Sequence, residues 1–374
     1  MWKSYFEWYL KQYFPQILKN KDWNYTNDLC LLGANQLFLC THRQFYRDAL
    51  LRAAPYLIDE NGCMKGWKEQ DHNLDQISRG KTLFLLWENT GEPRYRKAIE
   101  QVWQALQKHP RTECGNFWHK DIYPNQVWLD GLYMALPFYA AYESRFGEKA
   151  YGDILKQFQN VRRLLWSQQK RLYYHAWDES RMSQWVNSGT GCSPCFWLRA
   201  EGWFLMALAD CCEFIGAGTP PAKILCSLLQ EAVDGLLPYR DKKSGMFLQL
   251  IDRADLPANY PETSGSAMVT YSMLKGIRLK MLPESYAETA LDVWNGIEKT
   301  CLVREQRQVH LTHICASAGL GPGPDHRTDR TGSAEYYLSE RQQADNEHGA
   351  GAAMLAYAEV LRFNCRGSAF PCTR

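Results

Sequence analysis

Charge of one sign is missing from this chain. Lys and Arg number 43 and Asp and Glu 41, a formal net charge of +2 over 374 residues. Without a basic surface to track a phosphate backbone, no nucleic-acid partner is expected. Long apolar runs are missing as well, and none reaches the length that crosses a bilayer. The opening Met1-Trp2-Lys3-Ser4-Tyr5-Phe6-Glu7 lacks the basic, apolar and small-residue segments of a secretory leader. No membrane association is expected, and the location read from these absences is cytoplasmic. There is no GxGxxG after a strand, no Walker loop and no GxSxG elbow, so nucleotide binding and serine-hydrolase chemistry have no foothold. No HExxH or similar ligand pair stands at helical spacing, and neither metal nor cofactor is expected.

Cysteine is plentiful but unpatterned. Its 13 copies are an odd number scattered through helix-like segments such as Ala209-Asp210-Cys211-Cys212. They read as small buried hydrophobes in a reducing compartment. Cys192-Ser193-Pro194-Cys195 has no second pair at zinc spacing and no βαβ context, so it reads as neither zinc site nor redox motif. The 14 Trp and 21 Tyr suit a sugar-binding cleft and a large aromatic core equally well.

Strand signals are scarce, and helical periodicity fills the space. Ile154, Phe158, Val161 and Leu165 recur at i, i+4, i+7 and i+11, one face of a helix. Short turns such as Thr90-Gly91-Glu92-Pro93, Phe146-Gly147-Glu148 and Met281-Leu282-Pro283 end one helix and start the next, predicting antiparallel hairpins. Six first helices open on polar or aromatic residues: Asn27-Asp28-Leu29, Asn73-Leu74-Asp75, Pro124-Asn125-Gln126, Phe196-Trp197-Leu198-Arg199, Glu262-Thr263-Ser264 and Asp345-Asn346-Glu347-His348. Small residues follow (Gly80, Gly131, Gly202, Gly351) and permit close packing. Second helices such as Tyr95 to Lys108 and Tyr151 to Gln168 carry charge on one side. Six pairs predict an all-α (α/α)6 barrel, a toroid whose polar openings gather at one mouth. An open α-solenoid is the alternative, disfavoured by the divergence of the repeats. No composition break marks a second domain, and a single domain over 1–374 is expected.

In Val127-Trp128-Leu129-Asp130-Gly131-Leu132-Tyr133-Met134 one carboxylate sits in an apolar, aromatic helical stretch. Such surroundings raise a carboxyl pKa, which makes Asp130 a candidate proton donor. The other openings add Asp75, Trp197, Arg199 and Trp203, and adjoining loops add His119 and His175. Arg199 could meet a substrate carboxylate, or form a buried pair with Glu201 or a nearby Asp.

The blocks Asn73-Leu74-Asp75, Tyr123 to Ala135, Arg199-Ala200-Glu201-Gly202-Trp203, Glu262 to Ala267 and Gly332-Ser333-Ala334-Glu335-Tyr336-Tyr337 resemble the unsaturated rhamnogalacturonyl hydrolases. These are glycoside hydrolase family 105, related to the family 88 unsaturated glucuronyl hydrolases. The match runs in order from about Tyr25 to Val360 and implies the same barrel. It further implies Asp130 as general acid/base and Asp75 as its supporting carboxylate. His119, Trp128, Met134, His175, Trp197, Arg199 and Trp203 fall at family active-site positions. The implied substrate is a small oligosaccharide ending in a 4,5-unsaturated uronic acid. Family members tend to read Asn-Asp before a basic residue and Gly, whereas Asp345-Asn346-Glu347-His348-Gly349 departs from that order. The tail Phe363 to Arg374, with Cys365 and Cys372, has no counterpart, and neither segment is assigned a ligand contact. The rival readings are a family 88-like enzyme on glycosaminoglycan disaccharides, a sugar epimerase or isomerase, and a glycan-binding scaffold on the same barrel.

Overall fold

The computed structural model describes residues 1–20, 23–323 and 326–366. Six inner helices run Tyr25–Thr41, Arg79–Thr90, Leu129–Arg145, Leu198–Ile215, Thr263–Arg278 and Glu347–Asn364. Each packs on the next, and the sixth packs on the first, so the ring closes. The expected (α/α)6 barrel is therefore the observed architecture, and the open solenoid is set aside.

Small residues set the spacing of the ring. A Cβ on Gly80 would lie 2.1 Å from Phe138 Cδ2, on the neighbouring inner helix. One on Gly351 would lie 2.9 Å from backbone atoms of Leu29 and Cys30, where the sixth helix crosses the first. Either position therefore admits nothing larger than hydrogen.

Outer helices at Gln44–Leu57, Pro93–Gln107, Gly152–Leu165, Pro220–Leu236 and Ala287–Thr300 each follow an inner helix. Ile154, Phe158, Val161 and Leu165 are all buried, as their spacing predicts. The helix expected to run to Gln168 ends at Leu165, because Trp166 and Ser167 pair antiparallel with Tyr173 and Leu172.

The sixth pair departs from the expected order. Glu347–Asn364 is followed by no outer helix among the described residues; the segment Trp2–Asn20 takes that place. Its Trp2 ring lies 4.3 Å from Trp294 and 6.3 Å from Tyr357, on the last outer and last inner helices. A half-buried bond from Trp2 Nε1 to Glu298 Oε2 (2.8 Å) ties it down. The ring is thus circularly permuted relative to the hairpin reading. Hairpin periodicity is local and cannot say which end of a chain supplies a closing element.

Eleven cysteines, Cys192 and Cys195 among them, are free thiols. Cys372 lies outside the described residues. No helix among the described residues is long and apolar enough to cross a membrane.

Candidate active site

All six polar openings lie at the N-terminal ends of inner helices, and two adjoining cavities of about 310 and 320 Å³ open there. Tyr25 and Asp75 line both.

Asp130 owes its position to a switch of backbone conformation. Gln126–Trp128 is a short strand, Trp128 is the extended N-cap, and the helix begins at Leu129. That strand pairs antiparallel with Ala176–Asp178, Trp128 opposite Ala176. The pairing delivers His175: its carbonyl accepts the Leu129 N–H at 3.0 Å, and its Nε2 lies 3.1 Å from Asp130 Oδ2. This last approach is a close ion contact rather than an aligned hydrogen bond. His175 Nδ1 and the Tyr337 hydroxyl are 2.6 Å apart. Burial holds the Tyr337 pKa well above its usual value, so the phenol keeps its proton. A phenol donating to Nδ1 leaves Nε2 carrying the proton that faces Asp130.

The electrostatic consequence reverses the expectation from sequence. Burial alone pushes the Asp130 carboxyl up, but His175, then His119 and the helix backbone, outweigh it and hold it below the usual carboxylate range. The apolar surroundings are present as expected; the histidine brought from 45 positions away decides the sign.

Asp75 is set by a second local device. The Asn73 side chain accepts the Asp75 N–H at 3.0 Å and caps the turn Leu74–Ile77. Asn73 also bridges Lys120, Leu74 N–H donates to His119 O (3.1 Å), and His119 N–H donates to Gln126 O (2.8 Å). One segment, His119-Lys120, therefore spans both carboxylates. Lys120 Nζ pairs with Asp75 Oδ2 at 2.6 Å; burial opposes the Lys120 charge, but Asp75 more than restores it. His119 lies 4.0 Å from Asp75 Oδ1, and burial, with Lys120 adding to it, holds its imidazole well below the usual pKa.

The predicted residues divide into two groups. Asp75, His119, Trp128, Asp130 and Met134 line one cavity together. His175, Trp197, Arg199 and Trp203 are almost fully buried and are not among its lining residues. Trp197 bonds Gln249 through Nε1 (3.1 Å), and Trp203 stacks on Tyr133 at 4.8 Å. Arg199 Nη1 donates to Cys315 O and to Ser264 Oγ. The alternative pairing of Arg199 with Glu201 is not formed. Glu201 Oε1 instead accepts the Tyr173 N–H, and burial lifts that carboxyl to about 8. Trp128, expected at a family active-site position, stacks on His119 (4.5 Å) and Tyr123 (4.9 Å).

Several lining residues escaped the sequence reading. Tyr25, Lys120, Tyr123 and Arg330 line the cavity with Asp130. Lys120 stands beside His119, and its signal was available; Arg330 lies in a polar loop with no periodicity to recommend it. Asn346, Glu347 and His348, left without a ligand role, line the adjoining cavity. His348 Nε2 and the Tyr25 hydroxyl are 2.9 Å apart, so this helix start supports the residue shared by both cavities.

Comparison with known proteins fits this geometry. A glycoside hydrolase from family 105 of C. acetobutylicum has a structure with TM-score 0.87 and 39% identity, covering 91% of this chain and 94% of its own. The 24.9 kDa protein in the picA locus of Rhizobium radiobacter is 35% identical over 234 residues, 61% of this chain and 98% of its own length. Unsaturated rhamnogalacturonyl hydrolase YesR of Bacillus subtilis is 28% identical over 218 residues, 55% of this chain and 59% of its own. An unsaturated glucuronyl hydrolase from Bacillus sp. GL1 shares the fold at TM-score 0.68 and 12% identity, covering 97% of both chains. The model of Glycosyl Hydrolase Family 88 matches residues 3–364, and the chain belongs to that family of glycoside hydrolases.

Proposed function

We propose that this hydrolase removes a 4,5-unsaturated uronic acid from the non-reducing end of lyase-generated oligosaccharides, with unsaturated rhamnogalacturonan disaccharides as its substrates. The observation that carries the reading is the unequal state of two carboxylates on one cavity. Asp75 is held by Lys120, while Asp130 has no Lys or Arg in ion-pair contact among the described residues and lies 3.1 Å from His175. A glycosidase that attacks C1 needs two working carboxylates flanking the bond. A C4=C5 vinyl ether needs one group that gives a proton and then takes one.

The Asp130 carboxyl protonates C4, and positive charge develops at C5 beside the ring oxygen. Asp130, now a carboxylate, takes a proton from water as its oxygen bonds to C5. The hemiketal opens to a ketone at C5, the ring oxygen becomes a hydroxyl on C1, and the neighbouring sugar leaves from C1. Lys120 and Arg330, both on the cavity wall, offset the substrate carboxylate. The depressed Asp130 pKa fits a group that gains its proton only when a second carboxylate arrives beside it. Trp128, stacked on His119 and Tyr123, lines the cavity as an apolar surface for the sugar ring.

Support for rhamnogalacturonan products over glycosaminoglycan products is the resemblance to YesR. Incubation with unsaturated rhamnogalacturonan and chondroitin disaccharides, following the absorbance of the conjugated double bond, tests it. Loss with the first only is expected. Loss with the second only moves the enzyme to the glucuronyl class, and loss with neither overturns the reaction.

A further inference from the structure

At the end of the barrel opposite Asp130, all six inner helices line a third cavity of about 420 Å³. That volume is within the span of small-molecule sites, roughly 300–1,000 Å³. Most of its charges are answered. Lys275 Nζ meets Asp210 Oδ1 at 2.8 Å and Glu213 Oε2 at 2.7 Å, and Arg145 meets Glu88 at 2.6 Å. Arg278 and Arg362 both pair with Glu359, at 2.9 and 2.8 Å. These four cations belong to the last turns of their helices, where they also complement the exposed carbonyls.

Lys81 has neither explanation. It is the third residue of its helix, far from the C-terminal turn, and only 7% exposed. Its Nζ donates to Tyr133 O at 3.1 Å and sits 3.6 Å from the centroid of that ring, with no carboxylate in ion-pair contact among the described residues. Burial lowers its pKa to about 8, and the more distant Asp28 and Asp210 do not restore it. A buried charge without a contact partner is costly.

A second group points the same way. Tyr133 is 2% exposed, and its hydroxyl has no hydrogen-bond partner among the described residues. Tyr133 lines the cavity wall together with Asp210, Tyr271 and Lys275.

We propose that this cavity is a second ligand site, binding a monosaccharide-sized hexuronate with its carboxylate on Lys81 and the Tyr133 hydroxyl. The anion supplies the contact charge that Lys81 lacks and the acceptor that Tyr133 lacks. Asn35 and Asp210 offer the mixture of donor and acceptor that ring hydroxyls require, and Phe84 and Phe214 offer apolar faces. The site does not depend on the proposed reaction, since it is at the other end of the barrel and is read by binding rather than turnover.

The test is calorimetric titration of the full-length protein with galacturonate, and separately with galactose. Saturable galacturonate binding is expected, about tenfold or more tighter than galactose, as a charge-assisted contact warrants. Lys81→Met and Tyr133→Phe should each weaken it by about tenfold or more. Tyr133→Phe keeps the ring stacked on Trp203 and removes only the unpartnered hydroxyl, so it reads the site even if Lys81→Met folds poorly. The proposal is overturned by absent saturation, by equal binding of galactose, or by wild-type affinity in Tyr133→Phe.

Discussion

At the scale of single residues, the chemistry rests on how one carboxylate is tuned. If Asp130 both gives and takes the proton, Asp130→Asn keeps its shape and removes its titration. Turnover should fall by at least the upper part of the ~10²–10⁴-fold range of positioned acid–base catalysis, with substrate binding little changed. Stopped assays on the unsaturated disaccharide decide this, and full turnover in folded Asp130→Asn would hand the role to another residue. The depressed pKa yields a second expectation. The protonated form is the competent acid, so activity falls as pH rises through the Asp130 pKa. His175→Gln takes away the main cause of the depression and leaves burial to push the carboxyl up. The alkaline limb of the kcat/KM profile should then move to higher pH, and a profile that stays in place would exclude this pairing. Asp130 was legible as the chemical residue because a lone carboxylate in an aromatic helix start is conspicuous. Its protonation state was not, because His175 arrives through strand pairing rather than helical spacing.

Elements matter here as holders of that geometry. The link carrying His175, between the strands Leu172–Tyr173 and Ala176–Asp178, is fixed on both sides: Glu201 accepts the Tyr173 N–H, and the His175 carbonyl accepts Leu129 N–H. Glu201 is buried with its other oxygen unpartnered, and burial lifts its pKa to about 8. A carboxyl whose folded pKa exceeds its unfolded value costs the protein stability as pH rises. The cost is absent below the ordinary carboxyl range of about 4.3, grows from there to about 8, and then levels off. Glu201→Gln keeps an acceptor for Tyr173 and removes the titration. Chemical denaturation at pH 5 and pH 8 should show a flatter dependence and a gain in stability at pH 8. An unchanged slope would mean that Glu201 is already ionised. The helix starts themselves were readable, because Asn73, Glu262, Ser333 and Asn346 all cap helices with their side chains. The inward or outward bearing of Arg199 was not, since a buried arginine suits a backbone carbonyl as well as a ligand.

Across the whole molecule, the ring is the feature most fully written in the sequence, through turn punctuation, polar openings and small residues such as Gly80 and Gly351. Its seam was not, because nothing local announces that Trp2–Asn20 stands beside Glu347–Asn364. The seam is also a place to measure stability. Trp2 is 3% exposed, lies against Phe6, Trp294 and Tyr357, and bonds Glu298. Trp2→Ala should cost about 3–5 kcal/mol, the range for truncating a buried aromatic, read as a lower denaturation midpoint. A loss within about 0.5 kcal/mol, typical of a surface position, would mean that the segment is a loose appendage.

That seam also sets a timetable. The bond between Trp2 and Glu298 spans 296 positions, so the 2–20 segment leaves a ribosome long before the helix it docks on. At roughly 5–20 residues per second, the wait is on the order of tens of seconds. Throughout it Trp2, Phe6 and Tyr9 have no docking face from the 287–300 and 347–364 helices, and apolar surface left open that long invites association with other nascent chains. Tight closure of the finished ring thus has a counterpart in synthesis: a slow tempo favours a chaperone on residues 2–20, and synthesis that stops before residue 287 leaves Trp2 and Phe6 without Trp294 and Tyr357 to cover them.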